Sequence, residues 1–398
     1  MKRIINQHNR CLYIIVSLLV MIACRKDFPA VNDPTNSEAA TNFEGVFENF
    51  WNGMNYNYIF WDTDTTNWDE MYRKYQPLFA KLDIENREDV KTAHRYFQEM
   101  TASLIDCHFS LNFNSKFNLP SINPALERKK KSVNYHLPIS RNFYFASVFN
   151  RYCKDENKMT GTEQGLTIVS ATIEQNIVYL YISAFRLTEI YEENKNGPAK
   201  KSLENFFNLL KSTANIRGVI LDVRDNGGGY LSDLNLLIGR MIDKRLDIGY
   251  TRCKMGEGRL DYSPWIPAYV TPQANATKVS VPIVILGNMF SASMAEMTIM
   301  AVQTLPNGYF VGEQTWGAQG PLVDISANFN SGIFACPPFL TEVKTSSHVL
   351  KNMDGKLYEN IGIKPNVEVR HNQYNLTTEK RDVQLEQAID LIKKLPRW

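Results

Sequence analysis

Two segments rich in glycine or serine carry residue types suited to acyl-transfer chemistry. The first has the sequence DVRDNGGG (Asp222–Gly229) and follows an apolar run. Consecutive glycines let the backbone approach a ligand and can turn N–H groups into a cleft, where such donors stabilise an oxyanion. The phosphate-binding patterns GxxxxGK[ST] and GxGxxG are missing from the chain. Taken alone, the segment is explained equally well as a flexible turn between a strand and a helix.

The second segment has the sequence FSASMAE (Phe290–Glu296) and lies between a predicted strand and a predicted helix. A serine at such an elbow exposes its hydroxyl. The following N–H group and the helix N-terminus then both face a developing negative charge. Small neighbours at Ala292 and Ala295 leave room for a tight turn. By itself, the segment is explained more simply as a serine that caps a helix.

A serine nucleophile needs a base nearby. Beyond the first 23 residues the chain has five histidines: His94, His108, His136, His348 and His371. His108 has the most favourable context, because the sequence DCHF around it ends a predicted helical region, where a loop can enter a cleft. A thiol nucleophile at Cys107 paired with His108 is disfavoured, because adjacent side chains rarely face each other.

The elements that must position these residues follow an alternating pattern from residue 176 onwards. Apolar runs at 177–182, 217–223, 281–286 and 309–312 predict buried strands, and helical spacing appears at 203–210, 231–241, 293–302 and 382–394. Alternating buried strands and helices predict an α/β core over residues 176–398.

The preceding region has a different character. Aromatic and apolar residues over 44–82 and a helical stripe over 87–104 predict a small N-terminal helical domain at 44–108. The sequence pattern over residues 109–175 predicts a connecting region of short strands and loops. The basic run ERKKK (Glu127–Lys131) within it is interpreted as a solvated loop rather than a binding stripe.

The N-terminus has the pattern of an export signal. Basic residues precede a short apolar stretch, which predicts a signal peptide over residues 1–23. Met21-Ile22-Ala23-Cys24 resembles a bacterial lipobox, and this resemblance implies cleavage before Cys24 and lipidation of its thiol. Residues 24–43 are then a polar tether. Arg25 provides no acidic inner-membrane retention signal, which favours the outer membrane of the cell envelope. The alternative is an uncleaved N-terminal anchor.

Charge and residue spacing argue against nucleic-acid binding and against a metal or cofactor. The 398 residues carry a net charge of +2. The leader holds three basic residues and no acid, so the remaining chain is nearly neutral and gives no electrostatic case for nucleic acid. No histidine or cysteine cluster has metal-ligand spacing, so neither a metal nor a cofactor is predicted. We expect mostly buried free thiols at Cys107, Cys153, Cys253 and Cys336, with one disulfide possible.

Taken together and in order, these motifs resemble the tail-specific, or C-terminal processing, family of serine peptidases. The resemblance also includes VGEQTWG (Val311–Gly317), ENIGIKPNV (Glu359–Val367) and a closing helix. It implies a ClpP/crotonase-like β-α-β core with Ser293 as the nucleophile. Gly227 or Gly228, together with the Met294 N–H, would form the oxyanion hole.

Two branches of that family differ in the residue that acts as the catalytic base. The processing-protease branch uses a lysine shortly after the Thr-aromatic-Gly motif, where this chain has Ala318. A second branch, which resembles the tricorn core and the retinoid-binding repeats, uses a histidine from the N-terminal part and a late glutamate. His108 and Glu359 match those positions, with Cys107 where that branch has a small polar residue. The chain also lacks a PDZ signature before the core, which favours the tricorn-like branch.

Two functions follow from this resemblance. The leading prediction is a lipid-anchored serine endopeptidase that hydrolyses exported or extracellular polypeptides through a Ser-His-Glu site. The alternative is a catalytically inactive binding protein for apolar ligands or peptides on the same fold, motivated by Ala318 and by the 12% aromatic content. The sequence predicts neither the cleavage preference nor the oligomeric state.

Overall fold

The computed structural model describes residues 39–153, 157–174, 176–193, 196–212, 216–256, 258–322 and 332–396. The predicted signal peptide (1–23), the lipidation site at Cys24 and most of the predicted tether (24–43) lie outside these residues. Within the described ranges, every helix is too short or too polar to cross a membrane.

Helices occur in all parts of the described chain. The α-helices are α1 (Phe43–Asn57), α2 (Trp68–Phe79), α3 (Arg87–Thr101), α4 (Pro124–Lys130), α5 (Arg141–Ser147), α6 (Leu187–Glu193), α7 (Pro198–Ser212), α8 (Asp233–Leu237), α9 (Met294–Thr304), α10 (Gln373–Thr377) and α11 (Val383–Lys394).

Strands begin after the third helix. They are β1 (Ser110–Phe113), β2 (Met159–Glu163), β3 (Leu166–Ile173), β4 (Ile177–Ile182), β5 (Gly218–Asp222), β6 (Leu246–Cys253), β7 (Ile266–Val270), β8 (Ile283–Gly287), β9 (Gly308–Gly312), β10 (Ile333–Cys336), β11 (Leu340–Lys344), β12 (His348–Asn352) and β13 (Val367–Glu368).

A seven-stranded mixed sheet forms the centre of the core, in the order β13-β9-β8-β5-β4-β3-β2. Strands β4, β5, β8, β9 and β13 are mutually parallel, and β3 and β2 complete the sheet in antiparallel pairing. Every residue of β4, β5 and β8 is buried. Continuous apolar runs are what parallel strands require when helices cover both faces.

Both faces of this sheet are covered. Helices α7 and α9 pack on one face, in the cluster that includes Leu203 and Ile299. Helices α5 and α11 pack on the other face, in the cluster that includes Tyr144 and Leu385. The predicted α/β fold class is therefore confirmed.

The N-terminal helices build a separate aromatic core. Phe47, Phe50, Phe79 and Phe97 from α1 to α3 pack against one another with ring centroids 4.9–5.1 Å apart. The same cluster includes Phe334 and Phe339, from the hairpin β10–β11. Strand β1 pairs with β11, so late residues of the chain complete the predicted helical region and hold it on the core.

Three local predictions differ from the structure. The helical pattern over 231–241 forms only α8 followed by a 3-10 turn at Ile238–Arg240. The physical reason is that the carbonyls of Gly239, Arg240 and Met241 accept hydrogen bonds from residues 273–279 instead of continuing a helix. Residues 109–175 contain α4 and α5 in addition to strands, and the basic run at 127–131 lies mostly in α4.

A buried arginine in the DVRDNGGG segment connects the sheet to the closing helix. The Arg224 guanidinium lies 2.6 Å from Asp222 Oδ2 and 2.8 Å from Asp382 Oδ2, and all three side chains are buried. It also donates to Gln384 Oε1 at 3.0 Å. A guanidinium out of water needs such paired acceptors, so this part of the motif stabilises the fold.

Replacing Arg224 with Met should therefore lower the free energy of unfolding by about 3–5 kcal/mol, because Asp222 and Asp382 would be left as uncompensated buried charges. Urea denaturation followed by circular dichroism measures this change. The control is Arg370→Met, which removes an exposed partner of Glu368 and should change stability by less than about 1 kcal/mol. Equal effects of the two substitutions would contradict the assignment.

Candidate active site

The two predicted chemical segments meet at one edge of the central sheet. Strands β5 and β8 are parallel neighbours, with Asp222 in register with Leu286 near their carboxyl ends. The loops that follow carry Gly227–Gly229 and Ser293, and the Ala292 N–H donates to the Asn226 carbonyl at 3.0 Å. The carboxyl edge is where open α/β sheets bind ligands.

Ser293 occupies a strained backbone conformation at the start of α9. Its φ is 56° and its ψ is −120°, a region that residues with a side chain rarely adopt. This geometry corresponds to a sharp strand-to-helix elbow that exposes a nucleophile. Neighbouring hydrogen bonds hold the elbow in place, because Ser291 Oγ donates to the Val223 carbonyl at 2.7 Å and accepts the Asn288 N–H at 3.0 Å.

The glycine turn lies directly against this serine. A methyl group added at Gly228 would stand 2.6 Å from Ser293 Cβ and 2.9 Å from the Met294 nitrogen. One added at Gly229 would stand 1.8 Å from the Phe185 carbonyl oxygen. Both glycines have positive φ. Glycine is thus required here for close approach as well as for conformation.

The predicted oxyanion donors differ in their availability. The Gly228 N–H donates to Asn226 Oδ1 at 2.8 Å and is therefore engaged within the turn. Gly227 is exposed, and Met294 is the first residue of α9, where the N–H has no intrahelical acceptor. Of the two predicted glycines, Gly227 is the one whose amide is not committed to Asn226.

Glu296 ties the serine elbow to the loop that follows β9. Its carboxylate accepts the Ser293 N–H at 3.2 Å, the Gly317 N–H at 2.7 Å and the Ala318 N–H at 2.7 Å. The Thr315 hydroxyl donates to it as well, at 2.5 Å. The side chain is fully buried, and this burial raises the pKa of Glu296 to about 7, against the opposing effect of the four donors.

Glu359 is a second carboxylate that accepts hydrogen bonds from this loop, at the residues that follow Ala318. Its Oε2 accepts the N–H groups of Gln319 and Gly320, both at 2.9 Å, and its Oε1 accepts the Cys107 N–H at 2.7 Å. Burial and the neighbouring charge of Asp106 raise the pKa of Glu359. The carboxylate therefore connects the loop beside Ser293 to the residue next to His108.

His108 is held close to these carboxylates. Ligand-type atoms of Asp106, His108 and Glu359 all lie within 4.8 Å of one another. The His108 N–H donates to Asp106 Oδ1 at 2.8 Å, and the imidazole Nδ1 lies 3.3 Å from Ser346 Oγ. Burial, together with the positive charge of Lys344, lowers the pKa of His108 to about 4. The ring is neutral at pH 7 and can accept a proton.

The segments that carry the serine and the histidine also meet through apolar contacts. Cys107, Ala125 and Ala318 form one small buried cluster, against which Ala292 and Trp316 pack. Ala292 precedes Ser293 and Cys107 precedes His108. This cluster and the bonds through Glu296 and Glu359 hold together the segments that carry the two predicted catalytic residues.

Cys107 is not placed as a nucleophile. Its Sγ points towards the Ile105 carbonyl at 3.7 Å and Asn360 Oδ1 at 4.0 Å. Burial and the charges of Glu359 and Asp106 raise the pKa of this thiol, which keeps it protonated. The four cysteines in the described residues are free thiols, and three of them are buried.

The cluster of Asp106, His108 and Glu359 also has the composition of a metal site. The carboxylate oxygens, however, are directed at protein donors. Asp106 accepts the Ser346 N–H at 2.6 Å and the His108 N–H, and Glu359 accepts three backbone N–H groups. These residues therefore fit a hydrogen-bonded site better than a metal centre.

Several residues at the site escaped sequence reasoning. Glu296, Asp106, Ser346 and Lys129 were not assigned roles. Of these four residues, only Glu296 could have been predicted from the sequence, because it is an acid in the first turn of a helix that begins at a serine. Lys129 was assigned to a solvated run, but its Nζ lies 5.7 Å from the centre of the Trp316 ring and burial lowers its pKa. An amine therefore lies near Trp316, two residues before Ala318, which is the position of the expected family lysine.

Comparison with known proteins finds a matching family and relatives for the core. Residues 176–369 match peptidase family S41. The tricorn protease of Thermoplasma acidophilum is 26% identical over 197 residues, which are 49% of this chain and 16% of that protein. The carboxy-terminal processing protease CtpA of Bacillus subtilis is 26% identical over 209 residues, which are 52% of this chain and 40% of that protein. The matches thus span well under half of these relatives' lengths.

Solved structures extend the similarity of the fold to most of the chain. A candidate peptidase from Parabacteroides merdae has 22% identity and a TM-score of 0.66, and covers 89% of this chain and 97% of its own. Mature CPAF has 12% identity and a TM-score of 0.59, with coverage of 89% and 96%. The predicted resemblance to the tail-specific serine peptidases is confirmed for the family domain, and the branch stays a prediction.

Substituting Glu296 with Gln tests how the elbow is held. The amide –NH₂ would face backbone N–H groups that now donate to a carboxylate, so we expect the free energy of unfolding to fall by about 3 kcal/mol. Chemical denaturation measures the change. Glu99→Gln is the control, because the Glu99 side chain is 46% exposed, and it should alter stability by less than about 0.5 kcal/mol. Equal stability of the two variants would refute the role of Glu296.

Proposed function

We propose that this protein is a serine endopeptidase, because residues 176–369 match peptidase family S41. The observation that carries the proposal is the strained Ser293 at the N-terminus of α9, which lies beside the Gly228 backbone in a segment that packs against the segment carrying the neutral His108. A nucleophile, a base and backbone donors are the parts that acyl transfer requires.

The proposed mechanism assigns one role to each group. His108 removes the Ser293 proton as Oγ attacks the peptide carbonyl carbon, and it later gives that proton to the leaving amine. The Met294 N–H and the Gly227 N–H stabilise the negative oxygen of the tetrahedral intermediate. Glu359, which has a carboxylate oxygen within 4.8 Å of the histidine, helps to hold the imidazole through an intervening group. Water then hydrolyses the acyl-enzyme by the reverse proton path.

We place this activity on exported or extracellular polypeptides. The support is the N-terminal sequence, in which a basic and apolar leader ends in Met21-Ile22-Ala23-Cys24. Lipidation at Cys24 would anchor the enzyme to the bacterial cell envelope, with the outer membrane favoured by Arg25. Residues 25–39, which precede the first hydrogen bond of the folded region at Ala40, are long enough to separate that region from the lipid.

The aromatic residues do not favour the alternative of an apolar-ligand binder. Many of them, including Phe47, Phe50 and Phe97, are fully buried in the N-terminal core. Their contacts are with one another and with the β10–β11 hairpin. These aromatic side chains therefore form the packed interior of the N-terminal region rather than a surface that could bind a ligand.

A fluorophosphonate probe, read by intact mass, tests the proposed serine and base. The purified protein should gain one adduct. Ser293→Ala should abolish it, and His108→Ala should slow labelling and peptide hydrolysis by at least roughly 10⁴-fold, because the hydroxyl loses its proton acceptor. Ser103→Ala and His94→Ala are the matched controls and should label normally.

Lys129→Met belongs in the same experiment, since its amine has a lowered pKa and lies near Trp316. Loss of labelling in Lys129→Met with normal labelling in His108→Ala would assign the base to lysine and overturn the histidine mechanism. A folded wild-type protein that never forms an adduct would favour the non-catalytic binding protein.

The pH dependence gives an independent prediction. Only the neutral imidazole is a base, so kcat/KM should fall as pH decreases through the His108 pKa of about 4. An ordinary histidine would lose activity around pH 6.5. We therefore expect a flat acid side between pH 6 and 7 and half-maximal activity near pH 4, measured with a fluorogenic peptide. Circular dichroism at each pH checks that the fold persists, and an acid limb centred near 6.5 would contradict the lowered pKa of His108.

A further inference from the structure

The group that contacts the His108 ring directly is a serine from a distant part of the chain. Ser346 lies between β11 and β12, and its Oγ stands 3.3 Å from His108 Nδ1. The same hydroxyl lies 2.9 Å from Asp106 Oδ1 and 3.3 Å from the Gly320 carbonyl oxygen. Ser346 and Asp106 are both fully buried. A hydroxyl in this position can link the histidine to a carboxylate.

Asp106 fixes both partners of this contact through their backbones. It accepts the Ser346 N–H on Oδ2 at 2.6 Å and the His108 N–H on Oδ1 at 2.8 Å. The two residues that must face each other are therefore bound to one carboxylate, although 238 residues separate them along the chain. Gly320 limits the space further, because a methyl group there would stand 2.3 Å from Ser346 Oγ.

The direction of the proton in this contact follows from the donor count. The Ser346 hydroxyl has one proton, and an ionised carboxylate is a stronger acceptor than a carbonyl or an imidazole nitrogen. With that proton donated to Asp106, the hydroxyl presents only a lone pair to Nδ1. The imidazole must then carry its proton on Nδ1, which leaves Nε2 as the free basic nitrogen.

We propose that Ser346 and Asp106 are the positioning residues that hold His108 as the Nδ1–H tautomer, with Nε2 available to Ser293. The inference rests on the proposed peptidase function, since it assigns His108 as the base. It places the orienting hydroxyl on a separate loop instead of at position 107, immediately before the histidine. Cys107 directs its thiol at Ile105 and Asn360 and makes no such contact.

Glu359 has a different part in this arrangement. Both of its oxygens accept backbone N–H groups, so it secures the loop at 319–320 and contributes its charge without a direct link to the ring. The charged groups facing His108 are then Asp106 and Glu359, with Lys344 acting in the opposite sense on its pKa.

The decisive comparison is between two adjacent serines. Ser346→Ala removes the proposed acceptor. Ser347→Ala is the matched control, because Ser347 is equally buried and its Oγ donates to the next carbonyl, that of Pro321, at 3.0 Å. Both changes delete one buried hydroxyl from the same loop, so a general loss of stability should be similar in the two variants.

Kinetics with a fluorogenic peptide provides the first measurement. In Ser346→Ala, kcat should fall roughly 10- to 100-fold while KM changes less than about twofold, because the histidine is misoriented but the cleft is intact. The acid limb of kcat/KM should also move to lower pH, since the imidazolium loses its acceptor. Ser347→Ala should retain the wild-type kcat and pH profile.

Nitrogen-15 NMR of histidine-labelled protein provides a second measurement that needs no turnover. His108, assigned by comparison with His108→Ala, should be the Nδ1–H tautomer in the wild type and in Ser347→Ala, and should lose that form in Ser346→Ala. An Nε2–H tautomer in the wild type, or wild-type kinetics in Ser346→Ala, would overturn the inference. Absence of any fluorophosphonate adduct would instead defeat the proposed function, and the tautomer would still report on the positioning.

Discussion

The site depends on buried carboxylates whose hydrogen bonds are made with backbone N–H groups from other parts of the chain. Glu296 is the central case, with donors from the serine elbow on one side and from residues 315–318 on the other. Removing a carboxylate from water is unfavourable by several kcal/mol, and only well-placed donors offset this. The elbow and the loop are therefore stable in this arrangement only together, which fixes Ser293 relative to the neighbouring backbone.

Hydrogen bonds from backbone N–H groups to buried carboxylates also connect the N-terminal region to the core. Glu359 and Asp106 accept N–H groups from both ends of the chain, across sequence separations of 252 and 240 residues. Such bonds form only when the helical region is docked, and the aromatic core shared by α1, α3 and β10–β11 provides that docking. Apolar packing far from the cleft thus determines whether His108 reaches the site. The proposed base lies in the N-terminal region and the proposed nucleophile lies in the α/β core.

The sequence revealed what is encoded locally. Apolar runs predicted β4, β5 and β8 because a parallel strand covered on both faces must be apolar throughout, and the glycine turn and Ser293 were visible because each follows such a strand. The pairing of Ser346 with His108 has no local signal, since a serine between two strands is common and its partner is 238 residues away. Lys129 was misread for a related reason, because charge along a sequence does not show which member of a basic run packs on Trp316.

Burial has opposite effects on the groups of this site, and this bears on how it operates. It raises the pKa of Glu296 to about 7, so this group's contribution to stability decreases as pH rises from about 4.5 towards 7. Burial also lowers the pKa of His108 to about 4, so the contribution of His108 increases as pH rises from about 4 to 6.5. The two effects oppose each other over the same interval, but the raised pKa values of Asp106 and Glu359 act in the same sense as that of Glu296. Proton transfer depends on the protonation of His108 and on the contacts with Ser346 and Asp106 that orient it. The low pKa of His108 thus keeps the imidazole neutral over a wide pH range, while the buried carboxyl groups around it make the stability of the fold decrease as the pH rises.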